Sequence, residues 1–186
     1  VCRGDEAWNS SQVWHMPFDD LNAEVTSDIT WWPWREWYYT INVCNFAISR
    51  CGEDNSQLSN KMKRIKGQVL FLRGLSYYNL VGYYQNPPLI TDYATYSSLD
   101  GLYTSNSTYD AVLDQVEKDF HEAMELLPSR DEGGEWAGGR ATCGAAAGYY
   151  ARALMMRQKY SDALTVLKDI IGKKYGTYRL MLNYGD

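Results

Sequence analysis

Four tryptophans fall within seven residues, Trp31, Trp32, Trp34 and Trp37, and Trp8 and Trp14 lie just upstream. An indole joins a large flat apolar face to one polar handle. A sugar ring offers the complement: a face of C–H groups that stacks on indole or phenol, rimmed by hydroxyls that nearby Asp, Asn and Arg can bond. Apolar walls carrying a few placed polar groups are the usual build of a small-molecule site. Trp34 and Trp37 stand three apart in the helix that the sequence opens near Pro33, so at least one of them packs inward. Trp31 and Trp32 precede that helix and are the better candidates for exposure. The whole chain shares this bias, with 7 Trp and 16 Tyr against 4 Phe. A core alone would be served as well by Leu and Phe, although rings that merely fill helix interfaces remain the alternative for any one position.

Other chemistry is hard to assemble. The two histidines, His15 and His121, lie far apart, and His121 sits among Asp119, Glu122 and Glu125, a pattern that reads as a solvated helix face. No zinc-protease helix, nucleophile elbow, phosphate loop or dinucleotide fingerprint is present. A glycosidase needs two carboxylates at a set separation across a sugar, and the acidic dipeptides Asp5-Glu6, Asp19-Asp20, Glu53-Asp54 and Asp131-Glu132 read as solvated loop residues. Catalysis, a cofactor and a metal site are therefore not expected. The cysteines Cys2, Cys44, Cys51 and Cys143 form no C-x-x-C pair. Cys44 and Cys51 are seven apart on one expected helix, about 10 Å at the helical rise, which is too far for a disulfide. They read as small buried residues.

The bulk numbers exclude further classes. With 18 basic and 23 acidic residues the net charge is -5, so no basic stripe exists to displace counterions from nucleic acid. No polybasic anchor for an anionic membrane is present either. A mean hydropathy of -0.46 and a hydrophobic share of 45% suit a water-soluble surface over a real core. No run of 18 apolar residues spans a bilayer. Val1 is not an initiator Met and no basic, apolar leader precedes it. The chain therefore reads as a trimmed or processed piece.

The elements that must carry these residues are all helical. Residues 1–33 read as an aromatic-rich loop region and residues 34–186 as helical hairpins, together one domain. The first long helix runs from about Pro33 to Cys51 on the face Trp34, Tyr38, Ile41, Asn45 and Ile48. The second spans Lys61 to Tyr84, with Met62, Ile65, Val69, Leu72 and Leu75 as its expected buried stripe and Lys61, Lys63, Arg64 and Lys66 left wet. Gly67, Gly74 and Gly82 share one side of it, which suggests that another helix approaches closely there. Asn86-Pro87-Pro88 ends it, and the long polar connection 89–106 follows, a length that is uncommon without a function. A third helix opens at Ser107 or Thr108 and buries Leu113, Val116, Phe120, Met124 and Leu127. A fourth opens near Ala141 with close-packing Gly144 and Gly148. A fifth runs from Ser161 to about Lys173 and buries Ala163, Val166, Leu167 and Ile170. The last pair, with Ala146, Tyr150 and Ala153 and then Lys159-Tyr160-Ser161-Asp162-Ala163-Leu164, looks like a tetratricopeptide repeat.

Several of these pieces, in this order, resemble the SusD/RagB family. They are Trp34-x-x-x-Tyr38-x-x-Ile41-x-x-x-Asn45, then Lys66-Gly67, Phe71-Leu72-Arg73 and Tyr77-Tyr78-x-Leu80-Val81-x-Tyr83-Tyr84, then Pro87-Pro88-Leu89-Ile90. Val116, Asp119, Ala123 and Leu127-Pro128 continue the series, as do Gly139-Arg140-Ala141-Thr142 with Ala145-Ala146 and Ala151-Arg152, and Tyr178-x-Leu180-x-x-x-Tyr184. Gly4-Asp5-Glu6 is similar to an acidic dipeptide near the start of the family's helical core, while Cys143 departs from the pattern where a basic residue is usual. The resemblance implies an all-α, tetratricopeptide-like fold and a non-catalytic protein that binds glycans or, in some branches, peptides. It implies a lipid anchor on the outer face of a Bacteroidota outer membrane, and a SusC-like TonB-dependent β-barrel transporter as partner. It also implies that this chain is the N-terminal half of a longer one, with the lipid-bearing cysteine upstream of Val1. Ligand residues are not fixed by motif in that family, so the candidate ligand-binding set is Asp5, Trp8, Trp14, Trp31 and Trp32. A plain tetratricopeptide adaptor is the other reading. It would show regular 34-residue repeats, which the 89–106 connection interrupts. A secreted glycan-degrading enzyme lacks a defensible acid and base pair.

Overall fold

A computed structural model of the chain describes residues 28–52, 54–96, 98, 100–136 and 138–179. Cys2, Asp5, Trp8, Trp14 and His15 lie outside the described residues. Six α-helices follow one another among those described, with no strand: α1 (Asp28–Cys51), α2 (Asn60–Tyr84), the single turn α3 (Tyr93–Tyr96), α4 (Tyr109–Leu126), α5 (Cys143–Met156) and α6 (Tyr160–Ile171). The all-helical expectation holds. Two compact units are distinguished, Val1–Tyr39 and Thr40–Asp186.

In the first unit, α1 begins five residues before Pro33, with Pro33 inside the helix. Asp28 stands in its first turn, where the positive end of the helix dipole favours a carboxylate. Pro33 removes a single backbone donor so near the end. Trp31 and Trp32 are thus helical residues, and do not belong to a preceding loop.

In the second unit, α2 packs along α4, α4 along α5 and α5 along α6, the succession of antiparallel hairpins expected of a tetratricopeptide-like fold. Three of the helix starts, those of α2, α4 and α5, have a local cause. The hydroxyls of Ser59, Thr108 and Thr142 accept the backbone N–H groups of Met62, Ala111 and Ala145, satisfying donors that a first turn leaves orphaned.

The burial of α2 differs from the sequence expectation. Ile65 and Leu72 are exposed, while Lys66, expected to be wet, is 4% exposed. The buried face is Lys66, Gly67, Leu70, Phe71, Arg73, Gly74, Ser76, Tyr77, Leu80 and Val81. Two glycines explain the reversal. A Cβ on Gly67 would lie 2.9 Å from Leu127, and one on Gly74 would lie 3.1 Å from Phe120, so α4 is drawn against the glycine side. Gly82 has nothing within 4 Å and takes no part. The cations carried inward meet prepared partners. Lys66 Nζ donates to the Gly52 carbonyl (3.1 Å) and Asn55 Oδ1 (2.9 Å) and pairs with Glu122 at 3.2 Å. Arg73 grips Asp119 through Nε (2.8 Å) and Nη2 (2.7 Å) and donates from Nη1 to Asn45 Oδ1 (2.9 Å).

Asp119, expected on a solvated face, is 0% exposed because it answers Arg73 and also accepts from Gln115 at 2.7 Å. Burial pushes its carboxyl up from the ordinary value, and the Arg73 bonds pull it back only in part. His121 two residues on is exposed, as expected. The network reaches the long connection: Asn45 Nδ2 and the Tyr77 hydroxyl both donate to the Ile90 carbonyl at 2.8 Å, and the Tyr77 oxygen accepts from Ile90 N at 2.7 Å. The sites read as small buried cysteines hold, since Cys44, Cys51 and Cys143 are buried free thiols.

The expected stripe of α6 is largely unburied. Ala163 alone is buried, Val166 and Ile170 are half-buried, and Leu167 is exposed. Only the small face of α6 meets the alanine-rich α5. The chain then doubles back. Thr177 donates its N–H (2.8 Å) and its hydroxyl (3.0 Å) to Asp131 Oδ2, and the Tyr178 hydroxyl lies 3.3 Å from Thr142 Oγ1. Tyr178 fills the space where Gly144 lacks a side chain, whereas Gly148 faces open space. One of the two glycines of the G-x-x-x-G pair is therefore used for close packing.

Candidate functional site

The first unit carries the site. Consecutive residues on an α-helix point about 100° apart, so Trp31 and Trp32 diverge, and a residue three or four positions on lies beneath both. That residue is Arg35. Its guanidinium carbon sits 5.0 Å from the Trp31 ring centroid and 4.2 Å from that of Trp32. The two indoles meet edge to face, centroids 6.1 Å apart and planes at 84°. Glu36 holds the arginine in place, its Oε1 accepting from Arg35 Nε at 3.0 Å and from Nη2 at 2.6 Å. On another side of the helix Trp34 and Tyr38 pair with centroids 4.8 Å apart and are half-buried. Trp37 is half-buried as well, so neither Trp34 nor Trp37 is fully packed inward.

Trp31 is 48% exposed and Trp32 49%, so each ring keeps about half its surface in water while Arg35 braces it. Cation–π contacts at exposed sites are worth about 0.5–1 kcal/mol each, enough to restrict the rings' rotamers. Ordering a side chain in advance removes part of the entropy cost of binding. The Arg35–Glu36 pair is neutral as a whole and supplies both donors and acceptors at the rim. Two braced aromatic faces with polar groups beside them can stack a sugar ring and bond its hydroxyls.

Of the candidate set, the structure brings Trp31 and Trp32 together, whereas Asp5, Trp8 and Trp14 lie outside the described residues. Arg35 and Glu36 were not among the expected ligand residues. The signal for Arg35 was present as its i+4 and i+3 spacing from Trp31 and Trp32, and it is legible only once the helix is started at Asp28 instead of Pro33.

Among solved structures, a laminarin-binding SusD-like protein is 24% identical over 92% of this chain and 37% of its own, with a TM-score of 0.77. A SusD-like carbohydrate-binding protein of Bacteroides fragilis NCTC 9343 is 23% identical over 84% of this chain and 30% of its own, with a TM-score of 0.74. Surface glycan-binding protein A of Bacteroides fluxus is 20% identical over 90% of this chain and 35% of its own, with a TM-score of 0.73. The chain thus spans about a third of the length of these structures, and at such identities they show a shared fold. A comparison with curated proteins finds no match. The sequence pattern of one family, described as "Starch-binding associating with outer membrane", matches residues 2–155. A match over that much of the chain, on a helical fold shared with solved SusD-like proteins, places this protein in the SusD-like family.

Proposed function

We propose that this chain is the glycan-binding part of a cell-surface nutrient-binding protein, which captures an oligosaccharide for import through a SusC-like TonB-dependent β-barrel transporter. In this reading a lipid anchor holds the full protein on the outer face of the outer membrane, and the protein binds without catalysing. The observation that carries it is the braced pair Trp31 and Trp32, half-exposed side by side over Arg35. Asp5, Trp8 and Trp14 complete the ligand surface. The carbohydrate-binding description of a solved relative supports a glycan as ligand.

The test is isothermal titration of the full protein against laminari-, malto- and xylo-oligosaccharides. Replacing both rings (Trp31→Ala with Trp32→Ala) lowers affinity at least tenfold, about 1.4 kcal/mol, with the thermal midpoint unchanged. Equal affinity in the double variant refutes the site. A second reading, a protein-docking adaptor, is favoured by the exposed Leu164, Leu167 and Ile171 along α6. Purification from native membranes separates the two: a co-purifying β-barrel supports uptake, and soluble partners alone support the adaptor.

A further inference from the structure

A cleft lies in the unit Thr40–Asp186, where the start of α2 faces the glycine-rich stretch before α5. It has a volume of about 590 Å³. Its floor is Trp136, only 5% exposed, with guanidiniums on it from two elements: Arg64 and Arg140 each lie 5.6 Å from its ring centroid. Gly133, Gly134 and Gly139, at φ +76°, +58° and +86°, supply the positive-φ positions at which this stretch turns on either side of the indole. Arg140 donates to Gln68 Oε1 at 3.0 Å and pairs with Glu135 at 2.9 Å, and Arg64 pairs with Glu132 at 2.6 Å. Lys61 also lines the cleft and is exposed, and its ammonium makes no ion pair or hydrogen bond among the described residues. Three cationic side chains thus face two carboxylates in a chain of net charge -5.

The placement of these cations is costly to the helix. Lys61, Lys63 and Arg64 crowd the opening of α2, whose first turn holds no acidic residue. Cations are disfavoured there by the positive end of the helix dipole. Arg64 is compensated by Glu132 and Lys61 is not, and a local rule left partly uncompensated inside the fold is a mark of function. The buried indole cannot stack a ligand, so recognition here must come from charge and hydrogen bonding at the rim. A concave wall with an unengaged ammonium, two guanidiniums and the Gln68 amide matches a carboxylate carried on a polyol.

Resting on the glycan reading above, we propose that this cleft is a subsite for an acidic sugar. The carboxylate of a uronic acid unit bridges Lys61 and Arg140, Glu135 gives up Arg140, and Gln68 and Glu135 take the hydroxyls. Trp136 acts as a positioning residue that sets the two guanidiniums. The experiment compares galacturonate oligomers with galactose oligomers of the same length, ligands that differ in the C6 carboxylate, on the full protein. The acidic series binds about tenfold tighter at low salt, and the advantage shrinks as sodium chloride is added. Lys61→Glu, a change at an exposed position, abolishes that advantage and leaves both the galactose affinity and the thermal midpoint unchanged, while Arg140→Gln weakens the acidic series alone. Equal binding of the two series, or an acidic preference that survives both Lys61→Glu and Arg140→Gln, overturns the subsite and spares the glycan reading. Binding of neither these nor any other glycan removes both.

Discussion

Removing the Asp119 carboxylate isolates the central polar network, and its cost can be worked from the contacts. Asp119→Ala takes two bonds from Arg73, at 2.8 and 2.7 Å, and one from Gln115 at 2.7 Å. Arg73 keeps Asn45 at 2.9 Å and the Thr91 carbonyl at 3.3 Å, yet its charge stays buried without a counterion. Breaking one side of a buried pair costs about 3–5 kcal/mol. For a protein of this size each kcal/mol lowers the midpoint by about 2–4 °C, so the expected loss is about 6–20 °C. The companion variant decides the cause. With Arg73→Met added, no uncompensated buried charge remains, and the unpaired Asn45 Oδ1 costs about 1–3 kcal/mol. The double variant is therefore more stable than Asp119→Ala alone. Urea and thermal unfolding followed by circular dichroism measure both. A single variant within about 1 kcal/mol of the parent, or a double variant no more stable than the single, refutes the claim that this pair is a charge compensated in the interior.

Three further outcomes follow from the same packing. Gly74→Ala sets a methyl against Phe120 and Asp119 at 3.1–3.2 Å and lowers stability by about 1–3 kcal/mol, whereas Gly82→Ala, in open space, raises it by up to about 1 kcal/mol; denaturant midpoints of the two give the sign. Burial raises the Glu122 carboxyl, but the Asn55 bond and the Lys66 charge outweigh it and hold it below its ordinary 4.5. A depressed carboxylate adds stability that is present above its unfolded value and lost as pH falls through the folded one. Midpoints measured from pH 6 to 3 therefore fall less steeply for Glu122→Gln than for the parent, and equal slopes count against the pairing. Burial pushes the Cys44 thiol up to about 11, so iodoacetamide at pH 8 labels Cys44 only after urea is added, and labelling of the folded protein contradicts its position.

Sequence periodicity located the helices well, because caps and breakers act locally. Ser59, Thr108 and Thr142 each mark a start, and Asn86-Pro87-Pro88 and Pro128 each follow an end. It failed on which face of a helix is buried. On α2 a hydropathy stripe pointed to Ile65 and Leu72, but the real contact is set by Gly67 and Gly74, and hydropathy scores a glycine as almost nothing. Lys66 read as solvent-facing because its partners come from 11 to 56 residues away, at Asn55 and Glu122, and the partners that bury Arg73, Asn45 and Asp119, are as remote in sequence. At the candidate site the tryptophans were legible as a cluster. Arg35 was not, since its role exists only in the helical register that Pro33 concealed.

The return of residues 175–178 onto the turn before α5 joins positions 46 apart in sequence, through Thr177 and Asp131. Cys143 ties both flanks of that junction: its Sγ donates to the Tyr175 carbonyl at 3.4 Å and its backbone N–H to the Pro128 carbonyl at 3.0 Å. The α4–α5 turn, α5 and α6 therefore form a ring of chain with a fastened mouth. Peripheral helices usually fray from the free end and exchange their amide hydrogens first. Here α6 is set inside the fastening, so its opening requires release of a junction outside itself, and its amide protection is governed by Asp131 and Cys143 as well as by its own sparse core contacts.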